Sequence, residues 1–368
     1  MPATEFLLTG DLVLDEPDPD HWLAGIAPAI RAADVAVGHL EVPHTDRGIE
    51  TGGDVPAPAA RPSHLAALAR AGFDVITLAG NHIYDCGEPG VEDTCAELAR
   101  LGLAFCGAGS NIDEARRAAV IRRDDRRIAF LSYNCVGPDS SWATPSRAGC
   151  AYVSVTADDG SPISPAAERG TPDPESVRAM KRDIGTSAGM CDLTIVSLHK
   201  GIVHTPARLA DYERTIAHAA IDAGADVVVG HHAHIVRGIE WYRDRPIFHG
   251  LGNGCVVTRA LGGGGNAKRA SWAQERRKRF GFEPDPEYPL APFHPQAVNS
   301  MLARVRWHED GRLEAGFVPV WVAPPGRPEI AVGRRAAEVS GYVAQIGAAA
   351  GLPALAFDAR PDMVHVTP

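Results

Sequence analysis

The chain reads as an α/β protein, and three features carry that reading. Short β-rich runs alternate with segments whose apolar residues recur every three or four positions. Each β-rich run ends in a polar or glycine-containing cluster. The residues ending successive runs are carboxylates, amides and imidazoles, the groups that loops at the carboxyl ends of strands deliver when they converge on one crevice.

The elements follow in order. Strands are predicted at Phe6–Leu8, Val35–Val37, Val75–Leu78, Ile128–Ser132, Thr194–Leu198, Val227–Val229 and Ile247–Gly250. Between them, Pro62–Ala71, Gly90–Leu101 and Pro206–Ala223 carry helical periodicity, and Pro206 after Thr205 reads as a capped helix start. Two stretches break the rhythm. Residues 136–175 are rich in Pro, Ser, Gly and Asp, and residues 257–299 contain Gly262 to Gly265 followed by Lys268, Arg269, Arg276, Arg277, Lys278 and Arg279. Long excursions of this kind read as inserted loops or lids, and the basic run as either a solvated helical face or a substrate contact. Met301–Trp307 and Leu313–Val322 flank a turn at Glu309–Arg312, and a last helix is expected between Arg334 and Ala349. With no repeat and no linker, residues 1–330 are expected to form one domain, and 331–368 a helix and tail packed on it.

Composition narrows the function. At 368 residues, with 45% hydrophobic and 22% charged residues, the chain can bury a large core. A net charge of −10 argues against a general nucleic-acid or anionic-membrane binder. No apolar run reaches bilayer length and the first residues lack the pattern of a signal peptide, so a cytoplasmic protein with no membrane or nucleic-acid partner is expected. The seven cysteines are scattered without a CxxC pair, which supports neither a disulfide framework nor a zinc ribbon.

The candidate site lies at the strand ends. Asp11 follows the first strand and Glu41 the second; Asn81 and His82 follow the third; His199 ends a later one, ahead of Lys200 and His204; His231, His232 and His234 follow the next; Asn253 follows yet another. Any one of these has an ordinary structural explanation as a turn or a core group. Together they offer the nitrogen and oxygen donors that Zn, Mn or Fe would use, with Asp11, Glu41, Asn81, His82, His199, His232 and His234 as the candidate ligands. The same set would also serve as an acid/base array without metal, and both remain open.

Residues 80–109, opening Gly80-Asn81-His82, residues 194–201, ending His199-Lys200-Gly201, and residues 223–253, containing Gly230-His231-His232-Ala233-His234, resemble the CapA family. This family is named for poly-γ-glutamate capsule synthesis and is a branch of the calcineurin-like metallophosphatase fold. The resemblance runs from about Gly10 to about Ser300. It implies a two-sheet α/β sandwich flanked by helices, with a site that in the wider group holds two divalent metals. It also matches Phe293-His294-Pro295 to a late His-Pro motif. Three positions depart from the pattern: Val13 stands where hydrolytic members have the His of Asp-x-His, Glu41 replaces a bridging Asp, and His39 stands where most of the family shows Asn. With a ligand gone from one site and a longer carboxylate at the bridge, these departures count against a tight dinuclear centre and leave a single metal, a weakly bound metal, or none.

Three readings follow. A subset of CapA-like proteins accompanies ribosomal peptide synthesis and includes a lasso-peptide epimerase. On that resemblance the chain would epimerise the Cα of a precursor peptide's C-terminal residue, with Asp11 and His294 as the opposed acid and base, no cofactor required, and a leader-recognition protein as an additional partner. Glu41, Asn81, His82, His199, Lys200, His204, His231 and Asn253 would line the site, with Lys200, His199, His204 and the arginine-rich run receiving the peptide carboxylate. The alternative is a metal-dependent phosphoesterase in which His82 protonates the leaving group. The third is a non-catalytic peptide-binding module.

Overall fold

The computed structural model describes every residue except 1–2, 51–56, 58, 162, 165–166, 262–270, 272–273 and 275–276. Among the described residues the chain forms two large sheets packed face to face, with helices on the outer faces. In the ten-stranded sheet, Thr4–Leu14 pairs in parallel with Val35–Leu40 and with Asn253–Val257, and antiparallel with Asn299–Trp307. In the six-stranded sheet, Arg126–Asn134, Leu193–His199, Val227–His231 and Arg245–Leu251 run parallel.

Strand alternation explains the layers, because successive side chains point to opposite faces of a sheet. Phe6, Leu8, Val35, Val37 and Val75 from one sheet meet Ile128, Phe130, Ile195, Val227 and Val229 from the other. The residues between them turn outward. Leu7, Ala36 and Ile76 pack on the helices that carry Ile30, Leu68 and Leu98. Val196, Leu198 and Val228 pack on Met180, Ile184 and Ile216. Each strand is therefore apolar on both faces, as expected where a parallel sheet is covered on both sides.

Most expected elements form, several with longer bounds, such as Thr4–Leu14 for the first strand and Gly87–Arg100 for the helix after Asn81. The hairpin around Glu309–Arg312 joins Asn299–Trp307 to Leu313–Ala323, and the last helix spans Gly333–Ala349. One expectation is corrected. The helix expected from Pro206 begins at Asp211. Ala207 takes a left-handed backbone conformation, φ 53°, that an α-helix does not admit, Arg237 donates to the carbonyls of Ile202 and Thr205 and holds them in the loop before it, and Glu213 caps the later start by accepting from the Ala210 amide at 2.8 Å. Beyond the last helix, Val364–Thr367 pairs with Leu313–Ala323, and Ala356–Ala359 extends that edge of the large sheet. Of the basic run, Arg277, Lys278 and Arg279 are exposed, while Lys268, Arg269 and Arg276 lie outside the described residues.

The centre of the fold depends on one close backbone approach. A Cβ at Gly10 would stand 1.9 Å from the Gly252 carbonyl oxygen, where Thr4–Leu14 meets Asn253–Val257 beside Asp11. Gly10→Ala must push these strands apart and is expected to destabilise the protein by about 1–3 kcal/mol or more. The urea midpoint measures this, and an unchanged midpoint would contradict the packing described.

Candidate metal centre

The layer between the sheets is apolar for most of its length and turns polar at the carboxyl ends of the parallel strands. Continuing the inward-facing series leads from Val35 and Val37 to His39 and Glu41, from Val75 to Thr77, from Ile195 to Ser197 and His199, and from Val227 and Val229 to His231. On the first strand a register shift between Leu8 and Asp11 changes the parity, which turns Asp11 inward as well. Alternation and this one register shift therefore bring two carboxylates and three imidazoles to one end of the sandwich. His232 and His234 join them from the following turn, where both adopt left-handed backbone conformations, φ 86° and 53°. Non-glycine residues hold such conformations at a cost of about 1–3 kcal/mol, a strain that clusters at functional sites.

The contacts are dense. Asp11, fully buried, has Oδ1 3.1 Å from His231 Nδ1 and Oδ2 accepting from the His232 amide at 3.2 Å, with His234 Nδ1 3.5 Å from Oδ2. Glu41 reaches both ways, with Oε2 3.6 Å from His234 Nε2 and Oε1 3.7 Å from His199 Nε2. His199 Nε2 also lies 2.7 Å from Asn81 Oδ1 and 3.2 Å from His232 Nδ1. Asn253 Oδ1 sits 2.9 Å from His234 Nδ1, and as acceptor it leaves His234 Nε2 toward Glu41.

Burial keeps these imidazoles neutral. It pushes His39 and His199 well below the usual histidine range and His231 to about 3, and it lowers His234 against the pull of the Asp11 carboxylate. Burial raises the Asp11 carboxyl. Neutral rings have a lone pair to give, so the site offers nitrogen ligands at ordinary pH. Three groups have ligand atoms within 4.8 Å of one another: Asp11, His39 and His199; Glu41, His199 and His232; and Asp11, Glu41 and His234. This donor chemistry fits a divalent cation, and Glu41 is common to two of the groups. Val13 does not contribute, since it packs among Val42, Val256 and Phe293.

Several expected site residues have other tasks. Lys200 follows inward-facing His199 and so points to the opposite face, where it is fully buried with Nζ 2.8 Å from Glu213 Oε2 and 3.3 Å from His249 Nδ1. It cannot receive a substrate carboxylate there. His204 lies over His234, ring centroids 5.8 Å apart, within a group formed by Phe280, Phe282 and Phe293. His294 is half-buried at the rim, edge-on to Phe282 at 5.2 Å, with Nδ1 accepting from the Gln296 amide at 3.1 Å. Among the described residues no hydrogen bond or ion pair joins it to Asp11. His82 stands outside the three ligand groups: its Nδ1 lies 2.7 Å from Asp85 Oδ2 and its Nε2 3.0 Å from Asn81 Nδ2. Sequence reasoning missed Asp85, although a carboxylate three residues after a strand-end histidine was the available signal.

The fold and donor set together define a two-sheet α/β protein with a candidate divalent-metal centre at the carboxyl ends of its strands. The chain belongs to the family described as bacterial capsule synthesis protein PGA_cap, whose model matches residues 6–256. It is 32% identical over 248 residues to a probable polyglutamine synthesis accessory protein of Mycobacterium tuberculosis, covering 66% of this chain and 61% of that one. It is 25% identical over 244 residues to the capsule biosynthesis protein CapA of Bacillus anthracis, covering 64% and 53%. The match thus spans less than two thirds of these relatives' length. The calcineurin-like phosphoesterase YfkN of Bacillus subtilis superposes with a TM-score of 0.39 at 13% identity, covering 94% of this chain and 97% of that one.

Two further buried histidines predict the acid response. His44 is held at about 3 and His249 at about 4, in both cases chiefly by burial. Their folded values lie below the unfolded value, so the stability they contribute is complete above pH about 6.5 and falls as the unfolded chain takes up protons. Between pH 7.5 and 5 each is expected to cost on the order of 2 kcal/mol, read as a falling urea midpoint. A midpoint that holds or rises toward pH 5 would contradict this account.

Proposed function

We propose that the chain is a divalent-metal-dependent hydrolase of phosphoesters. The observation that carries this reading is Glu41, a buried carboxylate with one oxygen toward His199 and the other toward His234, so that it links two donor groups. Asp11, Glu41 and His234 would hold one cation, and Glu41, Asn81, His199 and His232 a second. Such cations supply Lewis-acid stabilisation of the charge that develops on a phosphoryl oxygen.

The chain's own residues supply the rest. His82 is the proton donor: Asp85 accepts from its Nδ1, which fixes the ring and stabilises its protonated form, and Nε2, 3.0 Å from Asn81 Nδ2, would carry the proton to a leaving oxygen. Asn81 aligns the pair, with Oδ1 toward His199 and Nδ2 toward His82 Nε2. Phe280, Phe282 and Phe293 cover the His234 side and restrict water there.

A second reading keeps Cα epimerisation of a peptide. It rests on His294, which stands half-buried beside the aromatic group next to His234. It places less on Asp11, whose two oxygens are already engaged beneath the histidines. One paired assay separates the two. Phosphoester cleavage that needs Mn²⁺ or Zn²⁺, stops on chelation and falls about 10²–10⁴-fold in His82→Ala supports the hydrolase. Deuterium uptake at a precursor peptide's C-terminal residue in deuterated water, unaffected by chelation and without ester cleavage, overturns it in favour of the epimerase.

A further inference from the structure

The site is braced across the two sheets by a pair of histidines that the proposed chemistry does not use. Asp11 and His39 are lateral neighbours in the ten-stranded sheet, and His199 and His231 are lateral neighbours in the six-stranded sheet. Two of their hydrogen bonds cross between the sheets. His39 Nε2 lies 2.9 Å from His199 Nδ1, and His231 Nδ1 lies 3.1 Å from Asp11 Oδ1. The two bracing rings stack on each other, centroids 4.3 Å apart and planes 20° apart. Each sheet thus contributes one candidate ligand, and the opposite sheet contributes the histidine that holds it.

We propose that His39 and His231 are reciprocal positioning residues, each fixing the ligand of the other sheet. The inference rests on the metal-centre reading above. The polarity of the bonds follows from the donor inventory. When His199 presents Nε2 to a cation, its proton is on Nδ1 and His39 Nε2 accepts it. His39 then carries its proton on Nδ1 and donates to Thr77 Oγ1 at 3.0 Å, and Thr77 can pass its hydroxyl proton to the Gly38 carbonyl at 3.3 Å. On the other side, Asp11 is acceptor only when ionised, so His231 must donate from Nδ1. Every member of the brace is fully or almost fully buried, so water does not substitute for a lost partner.

The spacing of the ring nitrogens sets the substitutions. A glutamine amide reaches about as far as an imidazole Nε2, and an asparagine amide about as far as Nδ1. His39→Gln should therefore keep the acceptor for His199, and His231→Asn the donor to Asp11, while leucine at either position removes the bond and keeps the bulk.

The test is calorimetric titration of the purified full chain with Zn²⁺ against a competing chelator. It is accompanied by NMR of ¹⁵N-labelled histidine rings to show which rings respond, and by urea midpoints to confirm folding. His39→Leu is expected to weaken the binding step that shifts His199 and His232 about 10–100-fold, and His231→Leu the step that shifts His234, with His39→Gln and His231→Asn recovering most of each loss. Equal affinities in the unsubstituted protein and both leucine variants would overturn the brace alone. Losses that the amide variants do not recover would overturn it too, assigning the effect to packing. An unsubstituted protein that binds no Zn²⁺ would overturn the metal-centre reading and the brace with it.

Discussion

Two buried carboxylates set the terms for the rest of this molecule. Asp11 and Glu41 are withdrawn from water between the sheets, and the ionic partners seen at them are histidines that burial holds neutral. An ionised carboxylate in such a place is costly unless positive charge or several donors compensate it. The chain supplies donors to Asp11 from His231 and the His232 amide, and it gathers ring nitrogens around Glu41. A divalent cation would complete the balance, with the neutral rings as its ligands and the carboxylates as its counter-charge.

The fold treats a different buried carboxylate in the opposite way. Glu213, on the outer side of the six-stranded sheet, meets the Lys200 ammonium at 2.8 Å, and nearby charge from Lys200 and Arg237 keeps its carboxyl below the usual range despite burial. That pair is closed by the chain's own cation and anchors a helix start and a sheet face. Lys200 and His199 are adjacent in sequence, yet strand alternation places one in a self-neutralised structural pair and the other among the candidate metal ligands.

Much of this was legible in the sequence, because strand ends carry their own signal. The strands and the gathering of Asp11, Glu41, Asn81, His199, His232 and His234 could be read from β-rich runs followed by titratable residues. What could not be read were directions and loop partners. The parity that sends Lys200 away from His199 depends on where each strand ends, and the Arg237 contacts that hold the loop before the helix start at Asp211 join distant parts of the chain. His39 appeared in the sequence only as a departure from a family pattern. Its bond to His199 lies between two sheets, where one-dimensional periodicity has nothing to report.

The central claim is that the polar end of the sandwich is a metal centre shared through Glu41. Crystals of the protein grown with Mn²⁺ and measured near the manganese absorption edge test it most directly. The account predicts anomalous peaks on either side of the Glu41 carboxylate, one among Asp11 and His234 and one among Asn81, His199 and His232. No peak within the site, with Mn²⁺ in excess and the side chains arranged as described, would contradict it.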